Sequence, residues 1–260
     1  MLLAIDCGNT NIVFALYDGQ AALKGLWRCK TDAARTADEY LVFLTQHFEL
    51  KSIHVDEITD IIVSSVVPDA NFSLEKLGVE GFGVRPKFIG KEITTEQIGI
   101  KVEIDRPQEL GADRIVNAAA IKTYYKQDVI VVDFGTATTL DIILADGTFK
   151  GGVIAPGANL SMAALHAAAA KLPKIGVAKP PKVVGTNTVD AMQSGIFYGY
   201  AGLVEGLISR MKQESGLEPM ILATGGLAAL FRQELDIISQ IDEELTLKGL
   251  LSIYLSVKSE

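Results

Sequence analysis

Asp6-Cys7-Gly8-Asn9-Thr10-Asn11 and Asp133-Phe134-Gly135-Thr136-Ala137-Thr138 are two copies of one pattern. Each follows an apolar run (Leu2-Leu3-Ala4-Ile5; Val129-Ile130-Val131-Val132), and each leads into another (Ile12-Val13-Phe14-Ala15-Leu16; Leu140-Asp141-Ile142-Ile143-Leu144). The pattern predicts strand, polar Gly/Thr turn, strand, with an aspartate ending the first strand. A single copy reads equally well as an ordinary hairpin built on Asx-type turn residues. Two copies, each opening an α/β stretch, predict two related half-domains facing one nucleotide between their loops.

Outward from the first copy, Met1 to Trp27 predicts a three-strand meander that turns at Asp18-Gly19. Tyr40, Leu41, Leu44 and Phe48 fall on one face of a helix over Thr36–Phe48, with Asp38 and Glu39 in its first turn. A buried strand over Ile58–Val67, closed by Pro68, a short helix over Phe72–Leu77 and an extended piece at Phe88-Ile89 complete the first half. Gly111–Tyr125 predicts a helix crossing between the lobes. The second copy then opens another meander through Asp146-Gly147. Helices over Ala158–Lys171 and Thr188–Lys212, a strand over Met220–Ala223 and a closing helix over Leu245–Val257 follow. The expected lobes are residues 1–115 and 116–260, each a mixed sheet with flanking helices.

Composition narrows the function classes. At 260 residues, 48% hydrophobic and 22% charged, the chain is long and apolar enough for a substantial core. A net charge of −8, with no Lys/Arg cluster among aromatics, gives no nucleic-acid footprint. No stretch approaches the roughly 20 apolar residues of a membrane span, and Asp6 interrupts the N-terminal apolar run. Two cysteines make no disulfide framework, and the expected location is the cytoplasm. His47, His54 and His166 have no zinc-ligand spacing.

In the first loop Gly8 lets the backbone approach an anion, and Asn9, Thr10 and Asn11 add side-chain donors. Asp6 repels phosphate directly, so its role there is to hold a cation such as Mg²⁺. Thr224-Gly225-Gly226, between a strand and a helix start, suits either close approach of a base or ribose or a plain strand-to-helix turn. Gly111-Ala112-Asp113-Arg114 begins a helix. Asp113 there either complements the helix dipole or acts as a general base beside an anion-binding arginine. Cys7 reads as a small buried residue rather than a nucleophile. Gly195, Gly199, Gly202 and Gly206 form a smooth helix stripe, for an internal helix pair or a subunit interface. There is no Walker or protein-kinase motif.

Taken together, the two Asp-Gly-Thr loops, the Gly-Gly motif and the duplicated lobes resemble the ribonuclease H-like, actin-like ATPase and sugar-kinase superfamily. Within it they resemble type III pantothenate kinases. The segments Asp6–Leu16, Gly111–Asn117, Asp133–Asp141, Asn187–Gly195, Thr224–Ala228 and Leu245–Leu250 carry this resemblance over nearly the whole chain. It implies that ATP phosphates are bound by Asp6, Cys7, Gly8, Asn9, Thr10, Asn11, Ile12 and Val13, with Asp6 arranging Mg²⁺. Thr136 would touch the phosphates, and Gly225 and Gly226 the adenosine. Asp133 would hold a monovalent cation, K⁺ or NH₄⁺.

By the same resemblance Asp113 accepts the proton of the pantothenate primary hydroxyl, and Gly111, Ala112 and Arg114 line the substrate pocket. Thr188 would reach pantothenate from the partner subunit of a homodimer. The resemblance departs at Val102–Pro107, where many relatives carry an aromatic before Asn-Pro; this leaves the substrate wall there unassigned. Two rival readings remain at this stage: a sugar-type kinase of the superfamily, or a non-catalytic nucleotide-dependent regulator.

Overall fold

A computed structural model describes residues 1–169 and 171–258 and divides the chain into two units, Met1–Tyr125 with Leu245–Glu260 and Lys126–Glu244. In the first unit, β1 (Leu2–Cys7), β2 (Asn11–Tyr17) and β3 (Leu23–Lys30) form the antiparallel meander. Parallel strands β4 (Asp60–Ser65) and β5 (Lys87–Phe88) join the other edge of β1, giving the order β3-β2-β1-β4-β5. The second unit repeats this order. Its β6 (Val129–Phe134), β7 (Ala137–Ile143) and β8 (Phe149–Pro156) form the meander, and β9 (Met220–Thr224) and β10 (Gln240–Ile241) run parallel to β6. Both sheets therefore place an aspartate, Asp6 or Asp133, near the carboxyl end of the central strand.

Alternation along β1 explains why its two faces differ. Leu3, Ile5 and Cys7 pack with Ile61 and Val63 of β4 into a core completed by α1 (Ala37–Glu49) and α2 (Pro68–Lys76). Tyr40, Leu44 and Phe48 are the buried stripe of α1. Thr36 caps that helix reciprocally: its Oγ1 accepts from the Glu39 N–H at 3.3 Å and its own N–H donates to Glu39 Oε2 at 2.8 Å. Pro68, expected only to close the preceding strand, also starts α2, at a position where its missing N–H costs nothing.

The opposite face of β1 carries Leu2, Ala4 and Asp6, in register with Asp60, Ile62 and Ser64 of β4. Helices α3 (Ala112–Ala120) and α7 (Leu245–Lys258) pack against the β4 side of this sheet. They approach each other closely, because a methyl group on Gly249 would fall 2.1 Å from the Val116 carbonyl oxygen. Thr246 Oγ1 donates to the Asn117 side-chain oxygen at 3.1 Å, and Tyr254 Oη donates to Asp60 Oδ2 at 2.9 Å. These contacts hold α7 within the first compact unit. The division falls after Tyr125 rather than at 115/116, α3 belongs wholly to the first unit, and the closing helix returns to it.

In the second unit, α5 (Thr188–Ser215) lays Phe197, Ala201, Val204 and Ile208 on Ile130, Val132 and Phe134. Phe231, on the short α6 (Ala228–Phe231), stacks between Phe134 and Phe197, with ring centroids 4.8 and 5.4 Å away. α4 (Ala158–Ala168) ends before the expected Lys171, and Ala170 lies outside the described residues.

Candidate active site

The first loop hangs from β1 and is tied back at two points. Gly8 N–H donates to the Asn11 carbonyl at 3.0 Å, and Thr31, just past β3, donates its hydroxyl to the Gly8 carbonyl at 2.6 Å and its N–H to the Thr10 carbonyl at 2.9 Å. Asn9, Thr10 and Asn11 are left exposed at the tip, while Cys7 and Ile12 are buried beneath it and Asp6 and Val13 are half-buried. Burial pushes the Cys7 thiol up to about 11, so at neutral pH it is an uncharged packing group.

The second loop is one residue tighter. Cys7 pairs with Ile12 across the first hairpin, whereas Phe134 pairs with Thr138 across the second. Gly135 N–H accordingly donates to the Ala137 carbonyl at 3.1 Å, two residues on rather than three. Thr136 is exposed, and its carbonyl accepts from the Gly157 N–H at 3.0 Å; a side chain at Gly157 would collide with that carbonyl at 2.2 Å.

Asp133 joins this loop to the Gly-Gly motif. Thr224 is its register partner on β9, and the chain then turns through Gly225 at φ +89°. A methyl group at Gly225 would lie 2.4 Å from Asp133 Oδ1, and one at Gly135 3.3 Å from the same oxygen. The Asp133 carboxylate therefore occupies a notch between two glycines. Gly226 is exposed beyond it.

Asp113 stands in the first turn of α3, half-buried, with Oδ1 accepting from the Arg114 N–H at 2.8 Å. Burial raises its pKa above the ordinary carboxylate value, against the lowering effect of the Arg114 N–H and charge. Gly111, the residue before the helix, is within 3.6 Å of Val66 Cγ1 by its would-be methyl position. Val66 in turn donates its N–H to the Cys7 carbonyl at 3.0 Å. The Asp113 segment is thereby brought beside the end of β1. Thr188 is elsewhere, exposed at the start of α5 after Asn187, whose side chain accepts from the Asp190 N–H at 2.9 Å.

Among the described residues, no group of three or more His, Cys, Asp or Glu is placed to hold a metal ion. A divalent cation at Asp6 would thus draw most of its ligands from phosphate and water, as Mg²⁺ commonly does. The residues present fit that demand: one carboxylate at a strand end, with an exposed polar loop after it. At Asp133 the carboxylate itself fills the space that the missing side chains of Gly225 and Gly135 leave.

A family model described as type III pantothenate kinase matches residues 2–210. The chain belongs to that family. The type III pantothenate kinase of Paramagnetospirillum magneticum is 52% identical over 254 residues, covering 98% of this chain and 96% of the relative. That of Caulobacter vibrioides is 51% identical over 257 residues, covering 98% and 97%. Among solved structures, a Campylobacter jejuni protein assigned to the Baf family of transcriptional activators aligns with a TM-score of 0.62 at 20% identity, covering 99% and 100%. An ADPNP-bound activator of 2-hydroxyisocaproyl-CoA dehydratase from Clostridium difficile aligns at 0.55 with 8% identity, covering 99% and 95%. At these identities both show the fold alone, and the fold is the expected duplication of two mixed sheets with flanking helices.

Thr31 and Gly157, which anchor the two loops through hydrogen bonds from outside them, were not singled out by sequence reasoning. Thr31 and Gly157 act through contacts with residues distant in the chain, and no local pattern announces them.

Proposed function

We infer that this protein transfers the γ-phosphoryl group of ATP to the primary hydroxyl of pantothenate, the first step of coenzyme A biosynthesis. Near-full-length identity of about half to type III pantothenate kinases carries this reading, and neither the sugar-kinase nor the regulator alternative has comparable support. The hydroxyl oxygen attacks the γ-phosphorus as the bond to the β,γ-bridging oxygen breaks and ADP leaves. Asp113 takes the hydroxyl proton. Its raised pKa makes it a stronger proton acceptor than an ordinary carboxylate, while Arg114 beside it supplies charge for the substrate carboxylate.

Phosphoryl transfer is mostly positioning and charge neutralisation. Asp6, Gly8, Asn9, Thr10 and Asn11 of the first unit and Thr136 of the second are assigned to the phosphates, with Cys7, Ile12 and Val13 shaping the first loop beneath them. Gly225 and Gly226 are assigned to the adenosine. Gly111 and Ala112 line the acceptor pocket. Bound Mg²⁺ at Asp6 and a monovalent cation, K⁺ or NH₄⁺, at Asp133 supply countercharge to the triphosphate.

The assignment extends to a cytoplasmic homodimer. Gly195, Gly199 and Gly202 face open space along α5, and Val183, Val184 and Val189 are exposed around its start. Such a stripe allows another helix to approach closely, and the exposed Thr188 at the start of that helix is assigned to the partner's substrate. Pantothenate-dependent ADP release by the purified protein tests the activity.

A further inference from the structure

The side chain of Ser64 is fully buried, yet its hydroxyl has no hydrogen-bond partner. Most buried hydroxyls are satisfied, because an unpaired one has given up its hydrogen bonds to water without replacement. The position of this one is specific. Ile61 and Val63 of β4 face the α1/α2 core with Leu3, Ile5 and Cys7, so Ser64 faces the other way. It is the register partner of Asp6 on the neighbouring parallel strand, so the two side chains lie on one face of the sheet about 5 Å apart at Cβ. That face is also the one on which α3, bearing Asp113, packs against β4. An alanine at position 64 would fill nearly the same space without the unpaired hydroxyl.

We propose that Ser64 is a positioning residue for the reaction: in the Mg²⁺-nucleotide complex its hydroxyl donates to the Asp6 carboxylate and fixes the oxygen that Asp6 turns toward the metal. The unpaired donor is then held ready for a state of Asp6 that only the loaded enzyme reaches. Partners that orient a carboxylate at a metal site typically contribute about 10- to 100-fold in metal affinity or activity. This inference rests on the phosphate-loop assignment made above for Asp6.

The test compares wild type, Ser64→Ala and Ser64→Thr by calorimetric binding of ATP at a series of Mg²⁺ concentrations without pantothenate, by thermal melting of the unliganded protein, and by steady-state kinetics. Ser64→Ala is expected to melt at or above the wild-type temperature while its Mg²⁺ requirement for nucleotide binding rises, and its kcat falls, by about 10-fold or more. Ser64→Thr, which keeps the donor, is expected to restore the Mg²⁺ requirement to within a few-fold of wild type. A Ser64→Ala protein with wild-type Mg²⁺ dependence overturns the proposal. So does one whose unliganded melting temperature falls clearly below wild type, since the hydroxyl would then be structural. If wild type binds Mg²⁺-nucleotide but never phosphorylates pantothenate, the functional reading fails while the binding comparison still decides the role of Ser64.

Discussion

Gly111 and Asp113 compete for one volume: a methyl group at position 111 would sit 2.6 Å from Asp113 Oδ1. Backbone strain is not involved, since Gly111 has φ −60° and ψ 144°, open to any residue. Gly111→Ala therefore displaces the proposed base without removing it. A misplacement of about 1 Å can cost about 100-fold in rate. We expect kcat to fall by about 10- to 100-fold with an unchanged ATP affinity and an unchanged far-UV spectrum.

Asp113→Asn removes the proton acceptor itself. The expected loss in kcat is at least about 100-fold, with ATP binding by calorimetry retained. The pH dependence has a definite sign. A carboxyl whose folded pKa is raised stabilises the fold below its unfolded pKa of 3.8, and that contribution is lost as pH rises through the folded value. Asp113→Asn should consequently melt higher than wild type at pH 7, and the gap should close at pH values below 3.8. In wild type the acidic limb of kcat/KM should lie above the ordinary carboxylate range.

Gly225→Ala tests the Asp133 notch. It places a side chain at φ +89°, 2.4 Å from Asp133 Oδ1 and 2.7 Å from the Phe134 carbonyl carbon. The strained backbone alone costs about 1–3 kcal/mol. Scanning calorimetry should show a lower melting temperature, and any folded fraction should have lost nucleotide affinity and its response to K⁺.

Much of this was legible in the chain. Continuous apolar runs ending in Asp6 and Asp133, each followed by a polar Gly/Thr turn and a second apolar run, specified both meanders and their duplication, because a central strand is buried on both faces. The residues around Asp113 alone left a helix-dipole role and a base role both open, and the resemblance of Gly111–Asn117 to the family pointed to the base. What stayed hidden depends on long-range packing. The return of α7 to the first unit rests on Gly249 meeting Val116, and nothing local to Leu245–Lys258 reveals its destination. The two-residue strand β10 was unpredicted because Gln240-Ile241 is too short to show a period. The extra residue in the first loop became visible only in the strand registers.

The glycine stripe gives a test of assembly. Gly199 and Gly202 have no atom within 4 Å of a would-be methyl group, so a larger side chain costs the single chain nothing in packing. Gly199→Leu with Gly202→Leu should leave the fold intact and raise helix propensity. On the proposed dimer, sedimentation should report a dimer for wild type and a monomer for the double variant, and activity should fall with the loss of the partner's Thr188.

The most direct test of the whole account is ADP release by the purified protein with ATP and Mg²⁺, with and without pantothenate, in K⁺ and in a buffer free of K⁺ and NH₄⁺. The account predicts release that requires pantothenate, yields phosphopantothenate in equal amount and collapses without the monovalent cation. ADP release that ignores pantothenate, or no turnover in any condition, would contradict it.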